Sequence, residues 1–301
     1  MSLAVGIEIG GTKLQVGVGS GDAKLRALVR RPVDPSRGGE GIRETIPSLI
    51  DQALAEAGVP AQALAGIGIG FGGPVNSKEG RVVVSHQVEG WSGFPLRDWL
   101  AKARGMPVVL QNDAKAAAFA EATLGAGKGL RRIFYITIGS GIGGGLVVDG
   151  TIDEGQGLGA GEIGHTWVPH PATGEPEKLE RVASGWSIEK RARLKMGEAA
   201  TAAVVYAAAE KGDAYAKALL DESAEALAIG ISNVIALLCP ERVILGGGVS
   251  LMGPLFWDPL RAKVAGEFGF KPFAGRCELV PSALGEEVVV IGATLLGLRA
   301  R

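Results

Sequence analysis

The sequence predicts an α/β protein of two related domains, each a sheet covered by helices. Three observations carry that expectation. The chain has 301 residues, 47% of them apolar, enough for two domains of ordinary size with full cores. β-rich runs alternate with helical ones along most of it, the pattern of sheets flanked by helices. One unit also occurs twice, as "IEIGGTKLQVGV" from Ile7 and "ITIGSGIGGGLVV" from Ile136. Each copy is a β-rich run, a glycine turn and a second β-rich run, which reads as a hairpin. Its recurrence points to two domains that open on the same unit.

The elements follow in order. After the first hairpin, "IPSLIDQALAEAG" (46–58) reads as a helix and "IGIGF" (67–71) as a strand. "PVVLQ" (107–111) is another strand, leading into an alanine-rich helix that starts near Ala114. "RIFYITI" opens the second hairpin, and a polar loop (161–185) follows it. A mostly helical stretch then runs over 186–238, where Leu220, Leu227, Ile231, Val234 and Leu238 recur at helical spacing. "RVILGGGVS" reads as a buried strand ending in glycines, and "EVVVIGATLLGLRA" as a last strand, turn and helix.

Composition excludes several classes. A formal net charge of −1 leaves no electrostatic footprint for nucleic acid, and no Lys/Arg run suits a membrane surface. The apolar segment "ALAIGISNVIALLC" (226–239) is too short to span a bilayer. The start, "MSLAVGIEIGG", has no basic region and is interrupted by Glu8, so no signal peptide is expected. Cys239 and Cys277 are the only cysteines, both in apolar surroundings, as expected of a reduced, cytoplasmic protein.

The 48 glycines cluster, and the clusters bear on chemistry. "GSGIGG" (139–144) has the dinucleotide-binding spacing, but the strand-like "GLVVDG" follows where that motif needs a helix. "GAGKG" (125–129) lacks the first glycine and the Ser/Thr of a Walker A loop. What remains is a glycine hairpin, twice, plus "LGGGVS" (245–250). Amides in such turns can face phosphate oxygens, and Thr12 and Lys13 add a hydroxyl and a cation. For either hairpin alone an ordinary tight turn is the other reading; three such loops at strand ends suit a nucleotide in a cleft between two domains. Asp113 stands where strand 107–111 gives way to a helix, the end of a strand at which ligands bind. There it is either a general base or a helix N-cap.

The loop "GEIGHTWVPHPATGEPEKLERVASG" holds two of the three histidines, His165 and His170, with Glu162, Glu175, Glu177 and Glu180. A structural metal needs about four ligands, and the loop has no cysteine. Glutamates and histidine can equally bond vicinal sugar hydroxyls, or the loop is simply solvated, the reading that fits Glu175, Glu177 and His170. His86 also reads as an ordinary loop residue.

The segments "GIEIGGTK", "QNDAKAAAFAE", "TIGSGIGGG", "GEIGH", "LERVASG" and "PERVILGGGVS" occur in the order found in the ROK family of bacterial sugar kinases and related repressors. The resemblance runs from residue 5 to about 298. It implies an actin-like ATPase (ribonuclease H-like) fold with two lobes around a nucleotide and sugar cleft. The small lobe would be 1–113 plus a C-terminal helix at about 288–301, and the large lobe 114–287. It implies transfer of the γ-phosphoryl of ATP, with Mg²⁺, to a hexose hydroxyl, with O6 as the expected position and glucose as the expected sugar. N-acetylmannosamine, fructose or allose kinases, a polyphosphate donor, and a catalytically weak sugar sensor are the alternatives. By resemblance Asp113 is the base, and Asn112, Glu162, His165 and Glu180 join it around the sugar. Gly10, Gly11, Thr12, Lys13, Gly139, Ser140, Gly141 and Gly143 meet phosphate, and Gly246, Gly247 and Gly248 lie by the adenosine.

Two departures stand out. Glu8 replaces the family's metal-linked Asp, one methylene longer, so a carboxylate that reaches Mg²⁺, through water or directly, must sit differently. The family's zinc-binding cysteines are missing, so zinc is not expected. The phosphate motif begins at residue 5, which leaves no room for the repressors' helix-turn-helix domain, and DNA binding is not expected. A homodimer or larger homo-oligomer is the family expectation.

Overall fold

The computed structural model describes residues 2–85, 88–156, 160–266 and 275–300; His86 lies outside them. The chain divides into two compact units, residues 1–129, 150–160 and 286–301 in the first, 130–149 and 161–285 in the second.

The first unit opens with β1 (Leu3–Ile9), β2 (Lys13–Gly19) and β3 (Leu25–Pro32), an antiparallel run. Helix α1 (Gly38–Ala57) follows, longer than its expected start at 46 because Ile42, Ile46, Leu49, Ile50 and Leu54 put one buried stripe along its whole length. Then come β4 (Leu64–Phe71), the short pair β5 (Val75–Asn76) and β6 (Arg81–Val82), α2 (Leu96–Arg104), β7 (Val108–Asn112) and α3 (Asp113–Leu124). The sheet order is β3-β2-β1-β4-β7, and β1, β4 and β7 run parallel. Ile9 pairs with Phe71 and Phe71 with Asn112, so the segments that follow these strands leave from one edge.

The second unit opens with β8 (Arg132–Ile138) and β9 (Ile142–Val148), again antiparallel. The short strand β10 (Thr151–Ile152) falls in the part of the chain that belongs to the first unit. The hairpin of β11 (Trp167–Pro169) and β12 (Pro176–Lys178) leads into α4 (Leu179–Ala183). The stretch 186–238, expected to be mostly helical, is three helices, α5 (Gly185–Met196), α6 (Ala202–Glu210) and α7 (Ala214–Leu238). Ser184, Thr201 and Asp213 start them, each side chain accepting a backbone N–H from the first turn. After β13 (Arg242–Gly246), α8 (Pro254–Ala265) and β14 (Glu278–Pro281), the β9-β8-β13-β14 part of the sheet is complete, with β8, β13 and β14 parallel.

One expectation changes. Residues 288–297, expected to begin as a strand, form a helix throughout, α9 (Val288–Gly297). Three consecutive valines favour a strand locally, but α9 packs on β1, β4 and α3, and burial against them decides. Helix α3 packs on α9, and the first segment of the first unit runs to residue 129. Each unit has its own apolar core, including Ile7, Val16, Ile46 and Ile69 in the first and Ile136, Leu227, Ile231 and Phe256 in the second. No described helix is long and apolar enough to cross a membrane.

Candidate active site

In the first unit the sequence-predicted residues gather at the shared edge of β1, β4 and β7. The turn after β1 is closed by the Gly10 N–H donating to the Lys13 carbonyl at 3.0 Å, and the Gly72 N–H donates to the Ile9 carbonyl at 2.8 Å. Asn112 caps α3, its Oδ1 accepting the Lys115 N–H at 3.2 Å, while its Nδ2 donates to Gly73 O (3.1 Å) and to Asp113 Oδ1 (3.0 Å). Asp113 is the first residue of α3, where the helix dipole favours a carboxylate, and its Oδ1 also accepts the Ala114 N–H. The cap role weighed for Asp113 thus belongs to Asn112. A Cβ added at Gly72 would lie 3.5 Å from both Asp113 Oδ2 and Gly10 Cα, so this carboxylate and the glycine turn converge.

Glu8 faces Gln15 across the hairpin and is buried, 7% exposed. Its Oε1 lies 3.2 Å from Lys13 Nζ, and its Oε2 accepts from Gln15 Nε2 at 2.6 Å. Gln15 Oε1 accepts from Arg30 Nε at 2.6 Å, and Arg30 pairs with Glu287 at 3.1 Å. Burial pushes the Glu8 carboxyl above the ordinary carboxylate range, against the opposing pull of Lys13, Gln15 and Arg30.

In the second unit three glycine segments meet. The Gly185 N–H donates to Gly139 O at 2.8 Å and the Trp186 N–H to Ser140 O at 3.4 Å, which docks the start of α5 on the hairpin turn. Gly247, at φ 82°, is pressed on β8: a Cβ there would stand 2.6 Å from Ile138 O. A Cβ at Gly246 would run into the Tyr135 hydroxyl, whereas Gly139 and Gly248 border open space. Gly143 lies within β9 opposite Thr137, not in the turn. Glu180, at the start of α4, accepts the Ile142 N–H at 3.0 Å, and a Cβ at Gly141 would collide with its carboxylate. Glu162 precedes the short helical turn Ile163–His165. His165 is exposed, and its Nδ1 lies 3.1 Å from Lys178 Nζ. A protonated lysine makes Nδ1 the acceptor and leaves the ring proton on Nε2.

The model of the family described as "ROK family" matches residues 4–300. The chain belongs to the ROK family. A glucokinase from Thermotoga maritima is 34% identical over 308 residues, covering 96% of this chain and 95% of that protein. The ROK hexokinase structure from Thermus thermophilus has a TM-score of 0.83 at 32% identity, over 98% of this chain and 97% of that one. A ROK glucokinase from Streptomyces griseus, in complex with glucose and AMPPNP, has a TM-score of 0.84 at 28% identity, over 99% of this chain and 100% of that one. The fold is the actin-like ATPase fold of this family.

This ROK protein holds its 161–185 loop by ordinary packing. β11 pairs with β12 from Trp167–Lys178 to Pro169–Pro176, and the turn between them is tied by the Thr173 and Gly174 N–H groups to His170 O. The Ala172 N–H donates to His170 Nδ1 at 3.2 Å, which gives His170 a turn-forming role. Val168, Leu179 and Ile163 anchor the loop in the core of the second unit. Among the described residues no group of three or more His, Cys, Asp or Glu could hold a metal.

A directly bound Mg²⁺ does not fit Glu8. Both its oxygens are bonded inside the hairpin, and an ammonium ion occupies the position next to one of them. The carboxylate of the longer side chain reaches Lys13 Nζ.

Sequence reasoning missed Gln15, Gln111 and Glu154. Gln111 and Gln15 are buried polar side chains in strands that read as apolar, and a buried amide needs partners. Those partners come from distant segments that one sequence does not connect.

Proposed function

We propose that the protein is a glucokinase that moves the γ-phosphoryl of ATP to O6 of glucose, with Asp113 as the base. It is an ATP-dependent hexose kinase of the ROK family; glucose, O6 and the residue roles are the proposal. The observation that carries it is the division of labour at the start of α3. Asn112 caps the helix, and Asp113 Oδ2 points to the glycine edge at Gly72 and Gly10.

In this reading the sugar O6 attacks the γ-phosphorus in line while the bond to the β-phosphate oxygen breaks and ADP leaves. Asp113 takes the O6 proton as the new P–O bond forms. Glu162, Glu180, Asn112 and the Nε2–H of His165 bond the other sugar hydroxyls, which disfavours analogues lacking them. Gly10–Lys13 and Gly139–Gly141 present backbone amides to phosphate, and Lys13, steadied by Glu8, adds its charge. Gly247 and Gly248 border the adenosine.

Formation of the sugar phosphate measured over glucose, fructose, allose and N-acetylmannosamine, with Mg·ATP and with polyphosphate, tests the substrate. The highest kcat/KM is expected for glucose with ATP, with glucose 6-phosphate as the product by NMR. A higher value for another pair reassigns the substrate. Asp113→Ala is expected to cut kcat by about 10²–10⁴-fold while glucose binding by calorimetry persists; surviving turnover removes Asp113 as the base.

A further inference from the structure

Gln111, the residue before Asn112, is 4% exposed on β7. Its Nε2 donates to Glu154 Oε1 at 2.8 Å, and its Oε1 accepts the Asn112 N–H at 2.8 Å. The second oxygen of Glu154 accepts a hydrogen bond from the Ser77 hydroxyl. All these residues belong to the first unit. Together they form a continuous chain of bonds from Ser77 through Glu154, Gln111 and Asn112 to Asp113 Oδ1.

The chain has a direction that chemistry fixes. An ionised carboxylate only accepts, so Glu154 obliges Gln111 to turn its NH₂ towards it. The amide oxygen of Gln111 is then set against the Asn112 N–H, where an NH₂ group would be repelled. Without Glu154, only the Asn112 N–H is left to select between the two orientations of the buried amide. The backbone of Asn112 starts α3, and its side chain caps that helix and holds both Gly73 O and Asp113 Oδ1. The amide orientation therefore bears on the junction from which Asp113 projects.

We propose that Glu154 is a positioning residue for phosphoryl transfer, acting through Gln111 to set the Asn112–Asp113 junction. The proposal rests on the reading of Asp113 as the base. Glu154→Ala leaves the amide held by the Asn112 N–H alone and its NH₂ without an acceptor at 154; Glu154→Gln keeps an oxygen to accept from Gln111. Gln111→Glu sets two carboxylates face to face, a repulsive pair. The double variant Gln111→Glu with Glu154→Gln restores a donor–acceptor pair with its direction reversed, while the residue at 111 still accepts the Asn112 N–H.

The four variants and wild type are compared by kcat and KM for hexose and for ATP, and by melting temperature. Glu154→Ala and Gln111→Glu are expected to lower kcat by about tenfold with KM for ATP changed less than about twofold. Glu154→Gln and the double variant are expected to return to within about threefold of wild type. A purely structural carboxylate would lower stability without this split and without rescue by the swap. Glu154→Ala within about twofold of wild-type kcat, or a double variant no better than Gln111→Glu, overturns the proposal.

A second readout is independent of turnover. Exchange of the Asn112 amide hydrogen, followed by NMR, is expected to be about tenfold faster in Glu154→Ala than in wild type. If wild type transfers no phosphoryl group, the functional reading falls, and this rate still decides the relay: an unchanged rate overturns it.

Discussion

The two glycine hairpins have nearly the same sequence pattern and are held in different ways. In β1–β2, Ile9 pairs with Leu14 across Gly10–Lys13; in β8–β9, Ile138 pairs with Ile142 across Gly139–Gly141. The first turn therefore has one more residue between paired positions, and that addition carries Lys13. Glu8 and Gln15 face each other in the first hairpin, where Thr137 and Gly143 do in the second. The first hairpin is braced from within, by a buried carboxylate, an amide and an ammonium ion. The second is braced from outside, by Glu180 and the first residues of α5. A common backbone unit thus leaves the source of its polar groups open, and each unit supplies a different kind.

The largest expected effect comes from what packs on the first strand of each hairpin. Gly6 precedes the repeated motif as Tyr135 does in the second copy. A Cβ at Gly6 would overlap the Val290 carbonyl and the Thr294 hydroxyl of α9, whereas Tyr135 is fully buried with its ring beside Gly246. Backbone atoms of a helix cannot step aside as a side chain can. Gly6→Ala is expected to cost about 3 kcal/mol in denaturant unfolding, and Tyr135→Phe about 1 kcal/mol. Equal costs would mean that α9 is no tighter a neighbour than Gly246.

This contrast also marks where the sequence could be read. The hairpins, the strands β4 and β7, and the position of Asp113 were legible because alternation and glycine turns are local signals. The identity of the second hairpin's supports was partly legible, since Glu180 stood in a recognisable segment. Residues 288–297 were misread in part because three valines favour a strand, and only the glycines on β1 and β4 that admit a helix reveal the contest. A Cβ at Gly68 would meet the Ala293 carbonyl, a fact that lies in pairing across more than two hundred residues. The Glu154–Gln111 bond was illegible for the same reason: a buried amide can be guessed, but its distant partner cannot.

A smaller effect separates the two turns. Neither Gly10 nor Gly141 has a positive φ, so alanine is permitted by the backbone at both and the surroundings decide. At Gly10 the nearest atom to an added Cβ is Lys13 O at 3.3 Å. At Gly141 the methyl would displace the Glu180 carboxylate, a flexible group, from the Ile142 N–H. Gly141→Ala is therefore expected to melt near wild type while KM for glucose rises about tenfold. Gly10→Ala should leave KM for glucose within about threefold. A comparable rise in both would show that Glu180 does not distinguish the turns.

The smallest effect concerns the internal brace, and its pH dependence gives it a sign. Burial sets the folded-state pKa of Glu8 above its unfolded value despite Lys13. Between those two values the native state holds the proton more tightly than the unfolded chain, so stability falls as pH rises through the window that begins at the ordinary carboxyl value of 4.5. Glu8→Gln has no such window. It should match wild type near pH 4 and exceed it at pH 8, as judged by urea unfolding at each pH. The same change removes the partner of Lys13, and KM for ATP is expected to rise by about threefold. That combination, a more stable hairpin that serves ATP less well, would place the cost of the buried carboxylate on the side of function. A Glu8→Gln protein less stable than wild type at pH 8 would mean instead that the pair with Lys13 outweighs burial, and that the first hairpin keeps its ion pair for its own stability.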